Sequence, residues 1–335
     1  MNFKKYFNTL ILISLLFACN QNPLNVNPRN KDLNITYKNL DSLFVNVPEN
    51  KLINEIKKYH LNENEILSYQ LNHCLGIGNI SDSLTAKRIK LFVSDSYISR
   101  LETRIHEKFT KLNKIIAKIN SGFLFLNHHF PTKKLPKNII FMNSFFASNV
   151  FCTEHEIGIG LERYLGSKTD VIKELPSQEF FQWVKDKMDS KFLERDVLTA
   201  WIMTHYIEEN KENIAAAIVN WGKIIYLTEA SFPNLEKPII LRYSQKEFDW
   251  CEKNEFAFWK YLVQEKLLFS KNERDMANFI NEAPFTIGLP EKGPDRFGQF
   301  LGWKMIHSFM KNNPSTTLEE LVNIKYTKIL QEYEP

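Results

Sequence analysis

The sequence predicts a predominantly helical α+β fold, on three observations. Ile98, Leu101, Ile105, Phe109, Leu112, Ile116 and Ile119 recur at helical spacing and draw one apolar stripe. Two apolar runs, Asn138 to Phe146 and Glu156 to Leu161, have the length and flanks of buried strands. From about residue 177 onward the pattern is almost wholly helical.

The chain opens on Lys4 and Lys5, followed by an apolar run from Leu10 to Phe17 that is too short to span a bilayer with polar flanks. This is a secretory signal. Leu16-Phe17-Ala18-Cys19 is the pattern that bacterial lipoprotein signal peptidase reads, so cleavage between Ala18 and Cys19 is expected to leave Cys19 as a lipidated N-terminus. Two or more acyl chains, each buried CH₂ contributing about 0.8 kcal/mol, would then hold the chain on a membrane. A plain secretory signal or an N-terminal anchor helix is the alternative.

Residues 1–18 are thus read as signal, 19–33 as a solvated, Asn- and Pro-rich tether, and 34–335 as one body. Within the body, Ile35 to Phe44 reads as a short strand, and Lys51 to Tyr59 and Glu63 to Tyr69 read as short helices. Ser83 opens a helical region, and the stripe from Ile98 to Ile119 reads as one long amphipathic helix. Further on, Ile214, Ile218, Trp221 and Ile225 share a face, as do Phe256, Trp259, Val263 and Leu267. Arg296 to Met310 is apolar nearly all round and reads as a central buried helix, with Asp295 as N-cap and Asn313-Pro314 as stop. Thr316 with Glu319 reads as a capping box for a last helix.

Composition excludes several functions. The formal charge of +4 falls to about +2 without the signal, too little for a dedicated nucleic-acid binder. Cys74, Cys152 and Cys251 are widely spaced, compatible with one disulfide plus a free thiol or with three buried thiols. None of the eight histidines completes H-E-x-x-H: His106-Glu107 is followed by Thr110, and His155-Glu156 by Ile159. His128-His129 are neighbours whose side chains diverge on any regular structure. No G-x-S-x-G elbow or phosphate-binding loop occurs, and Gly158-Ile159-Gly160 is too short for a dinucleotide fingerprint. Glu208-Glu209 and Glu319-Glu320 read as solvated or capping pairs. No cofactor or metal site emerges from the residues.

The C-terminal half carries a series of ordered phrases. They are Trp221-Gly222-Lys223-Ile224-Ile225-Tyr226-Leu227, Trp250-Cys251-Glu252-Lys253-Asn254-Glu255, Trp259, Ala283-Pro284-Phe285, Gly293-Pro294-Asp295-Arg296-Phe297-Gly298, Gly302-Trp303-Lys304-Met305-Ile306 and Tyr333-Glu334-Pro335. With the earlier Ile157-Gly158-Ile159-Gly160-Leu161-Glu162-Arg163-Tyr164-Leu165-Gly166 and the lipobox, the chain resembles the gliding-motility lipoprotein GldB family of Bacteroidota. That resemblance implies an envelope lipoprotein supporting gliding, or the secretion and adhesin machinery beneath it, by binding unidentified envelope or gliding-machinery proteins. It also implies, more distantly, a zincin-like, metallopeptidase-related body, here lacking the H-E-x-x-H motif. Family members usually carry an acidic residue before Gly-Lys, where this chain has Asn220-Trp221.

A non-enzyme is therefore expected, with a zinc peptidase using noncanonical ligands or a general envelope-assembly lipoprotein as alternatives. The absence of an acidic cluster after Cys19 favours an outer-membrane anchor facing the periplasm. Gly298 and Gly302, four residues apart, are expected to leave a smooth strip for a neighbouring backbone, with Trp303 and Trp259 in the core. Gly222 and Lys223 complete this expected structural motif.

Overall fold

A computed structural model describes residues 24–29, 31–59, 65–289 and 293–335. The signal, Ala18 and Cys19 lie outside these residues. Among the described residues no helix is long and apolar enough to cross a membrane.

Strand β1 (Thr36–Asn39) leads directly into helix α1 (Leu40–Asn46). The expected strand over Ile35 to Phe44 is thus cut short, because the Asn39 side chain accepts from Ser42 N at 3.0 Å and caps a helix there. Helices α2 (Glu49–Tyr59), α3 (Thr85–Ser94) and α4 (Ser96–Lys108) follow, with a shorter helix at Glu65–Tyr69. Then comes α5 (Leu112–His129).

The long amphipathic helix is in fact α4 and α5. Phe109 (φ −107°, ψ 33°) and Lys111 (φ −113°, ψ 47°) leave helical geometry around β-branched Thr110. The stripe hid the break because Phe109 and Leu112 keep packing on the same core from either side of it.

Strands β2 (Asn138–Met142), β3 (Val150–Cys152) and β4 (Glu156–Gly160) complete one sheet in the order β1-β2-β4-β3. β1, β2 and β4 run parallel, and β3 is an antiparallel edge. Alternation along β2 sends Ile139 and Phe141 into a large core and Ile140 and Met142 into a smaller one formed with α1, α2 and α3. Both faces are therefore covered, as a parallel sheet requires. β2 ends at Met142 rather than Phe146, since Phe145 and Phe146 take φ of 50° and 64° and turn the chain.

The C-terminal half is helical: α6 (Leu193–His205), α7 (Ile214–Ser231), α8 (Gln245–Gln264), α9 (Glu273–Ile280) and α10 (Phe297–Asn312). α7 and α10 form its buried centre. In α8 the expected face is wrong: Phe256 and Val263 are exposed, while Cys251, Phe258 and Leu262 are buried. Aromatics on both sides of Ala257 make the two faces alike in hydrophobicity.

Asp295 does not cap α10; Arg296 does, from a left-handed φ of 53° and without a side-chain cap bond. The capping box lies one residue later than expected, on Thr317 and Glu320. The stretch read as a solvated tether is docked at two points, with Leu24 buried in the large core and Leu33 packed against it. Cys74, Cys152 and Cys251 are free thiols.

Candidate binding groove

The glycines meet where α7 crosses α10. A Cβ on Gly302 would lie 2.0 Å from Ile218 O and 3.0 Å from Gly222 N, and one on Gly298 2.8 Å from Phe279 O. Beside the crossing, Lys223 donates to Val322 O (3.0 Å) and Ile324 O (2.6 Å), and burial pushes its ammonium down to about 8. Trp303 donates Nε1–H to Glu229 Oε2 at 2.7 Å, and His307 Nε2 bonds the same oxygen at 2.7 Å. Lys237 pairs with the other carboxylate oxygen. Burial works against this charge, but His307 and Lys237 outweigh it and hold the Glu229 carboxyl at about 2. A hollow of about 1110 Å³ over this centre is lined by Tyr226, Trp303, His307, His128, His129 and Leu24.

A groove runs between edge strand β3 and the helical half. Three adjoining depressions of about 340, 300 and 1260 Å³ all share Met203, and the first two also share Trp221 and Ile280. Asn149 and Val150 line the first. Gly160 N donates to Asn149 O and Thr153 N to Glu156 O, both at 2.9 Å. In this register the backbone groups of Val150 and Cys152 point away from β4, and Val150 O accepts from Ser148 Oγ at 3.1 Å. On α6, the Trp201 and His205 rings meet at a 35° tilt with centroids 3.7 Å apart, and His205 Nε2 lies 2.9 Å from Thr153 O. Burial lowers the His205 pKa, which favours the neutral ring.

The first depression is walled by Arg195, Arg242 and Arg296, all buried. Arg195 Nη1 donates to Asp196 Oδ1 (2.9 Å), and Arg296 pairs with both oxygens of Asp295 (3.0 and 3.2 Å). Arg242 Nη1 donates to Glu282 Oε1 at 2.5 Å, and its Nε lies 3.2 Å from Asp196 Oδ2. Arg242 and Arg296 both sit at left-handed φ, 60° and 53°. Non-glycine residues pay for that conformation, and here it aims two guanidiniums at one depression.

A second polar centre sits at the C-terminal ends of the parallel strands, where ligand sites of such sheets lie. Asp41 follows β1, Asn143 and Ser144 follow β2, and Glu162 follows β4. Glu162 Oε1 accepts from Ser144 N and Phe146 N, both at 3.0 Å, and from Ser144 Oγ. Asp41 Oδ1 accepts from Asn143 N at 2.7 Å. Burial dominates over these bonds and pushes the Glu162 carboxyl up to about 7. Neither this centre nor the arginine wall is visible in local spacing, because each is assembled from distant segments. Among the described residues no group of three His, Cys, Asp or Glu side chains is disposed to hold a metal ion.

A family model described as gliding motility protein GldB matches residues 21–335. The chain belongs to the GldB family. Its family is one of gliding-motility lipoproteins, which associates this GldB chain with the cell envelope. Neither the curated proteins nor the solved structures yield a match to it. The Gly293-to-Gly298 phrase of this GldB sequence supplies Asp295 and Arg296 of the arginine wall, and Trp221-Gly222-Lys223 supplies both the groove and the crossing.

Proposed function

We propose that this protein is anchored through lipid on Cys19, at the outer membrane facing the periplasm, and supports gliding motility by binding a protein partner rather than by catalysis. The observation that carries the binding reading is the groove that opens at Val150 on the outer edge of β3, where an extended segment could add as a further strand by displacing the Ser148 hydroxyl from Val150 O. The body is read as zincin-like. A parallel sheet ending in an antiparallel edge strand, with α6 against that strand, is where an H-E-x-x-H helix would stand. There α6 carries Trp201-Ile202-Met203-Thr204-His205, and its one histidine is turned to Thr153 O.

The test is a pair of substitutions on exposed residues, Met203→Glu in the groove and Leu91→Glu on the opposite half. Both variants should accumulate and fractionate with membranes, and only Met203→Glu should lose gliding. A photo-crosslinking residue at position 203 should capture a discrete envelope protein that the same residue at position 91 does not. Normal gliding by a well-expressed Met203→Glu variant would sink the groove reading.

A further inference from the structure

We infer that the arginine end of the groove is a carboxylate-binding site, held by Glu282 until an extended polypeptide presents a carboxylate of its own. The inference rests on the groove reading above and specifies what the occupant carries. Three guanidiniums, Arg195, Arg242 and Arg296, stand in one depression against two buried carboxylates, Asp196 and Asp295. Asp196 serves Arg195 and Arg242 together, and Asp295 is taken up bidentately by Arg296. Lys187 also lies 3.9 Å from Asp295 but pairs more closely with Glu247, at 3.2 Å, so among these groups one positive charge is left over at the mouth of the depression.

Glu282 answers that charge. Its Oε1 lies 2.5 Å from Arg242 Nη1 and 3.8 Å from Arg296 Nη1. Burial opposes its ionisation, but Arg242 and Arg296 hold its carboxyl below the usual range. Unlike Asp196 and Asp295, its side chain is 44% exposed, against 9% and 2%. It follows α9 in a stretch that also exposes Phe285 and Ile287.

Replacing Glu282 by another carboxylate leaves the buried charges balanced. A neutral or cationic group would strand Arg242, which is where the selectivity arises. The same depression includes Val150 on the outer edge of β3 and Asn149, whose side chain accepts from Arg163 Nε, with Trp221 and Met203 as its apolar wall. A strand bonded to Val150 would therefore bring an acidic side chain or its own terminal carboxylate to the arginines.

The test uses the full-length protein in detergent with three labelled peptides, followed by fluorescence polarisation. They are Ac-Val-Thr-Val-Asp-Val-NH₂, its Asn twin, and Ac-Val-Thr-Val-Asn-Val with a free C-terminal carboxylate. The parent should bind at least one carboxylate peptide more tightly than the Asn amide. Glu282→Gln, which removes the internal competitor, should raise that affinity about tenfold and leave the Asn amide unchanged. Which carboxylate peptide gains tells whether a side chain or a chain end is the occupant. Binding indifferent to charge in both proteins would overturn the carboxylate assignment while leaving the groove standing. No binding of any peptide, together with an empty crosslink at position 203, would overturn both.

Discussion

A Cβ on Gly222 would lie 2.2 Å from the carbonyl oxygen of Gly302. The obstacle is backbone of the opposing helix, so no rotamer change can relieve it, and α7 and α10 are in contact main chain to main chain. Most of both helices is buried, so neither can retreat into solvent.

Gly302→Ala is expected to cost about 3 kcal/mol, at the upper end for overpacking, because Ile218 O leaves a methyl group no room. Denaturant unfolding of the purified protein measures this directly. A parent-like midpoint would mean that the two helices can separate without loss.

Cys19→Ser should abolish acylation, since serine lacks the thiol that receives the lipid. Metabolic labelling with a fatty-acid analogue reads this out, and label on the serine variant would rule out the lipobox assignment.

Glu229 should stabilise the fold at neutral pH. Its carboxyl sits at about 2 in the folded protein and near 4.5 in a free chain, so its contribution is present above about pH 4.5 and is lost as pH falls through 2. Glu229→Gln should therefore cost on the order of 3 kcal/mol at pH 7, with the difference from the parent shrinking below pH 4. An equal difference at pH 7 and pH 3 would show that the charge plays no part.

Glu162 has the opposite sign. With the folded carboxyl raised to about 7, its contribution is greatest below pH 4.5 and is lost as pH rises through 7. Glu162→Gln keeps an acceptor for Ser144 and Phe146 without the buried charge. The variant should gain stability relative to the parent between pH 5 and pH 8, and parallel stability curves would exclude an ionising Glu162.

Residues whose role is written in local spacing were legible in the sequence. The strands at Asn138 and Glu156 and the buried helix after Arg296 each announce themselves by an apolar run, and the two glycines of α10 imply close packing. What spacing cannot carry was missed. Thr110 interrupts a helix whose apolar period continues, and α8 offers two equally aromatic faces. The arginine wall draws Arg195, Arg242 and Arg296 from three segments, with partners fixed only by tertiary contact. Asp295 looked like a cap because capping is the commonest task for an aspartate before a helix; its carboxylate is instead taken up by its own neighbour, Arg296.

The docked Leu24 alters how a pull on the start of the chain would be borne. Because Leu24 is buried in the large core, tension arriving there is resisted by packed side chains instead of being absorbed by slack. Leu24 shares its hollow with Trp303, which adjoins Gly302; Gly302 abuts Gly222, and Trp221 beside it lines the groove. On the proposed reading, the anchored end of the chain and the groove are thus joined through the interior by a short path of packed residues, with no slack between them.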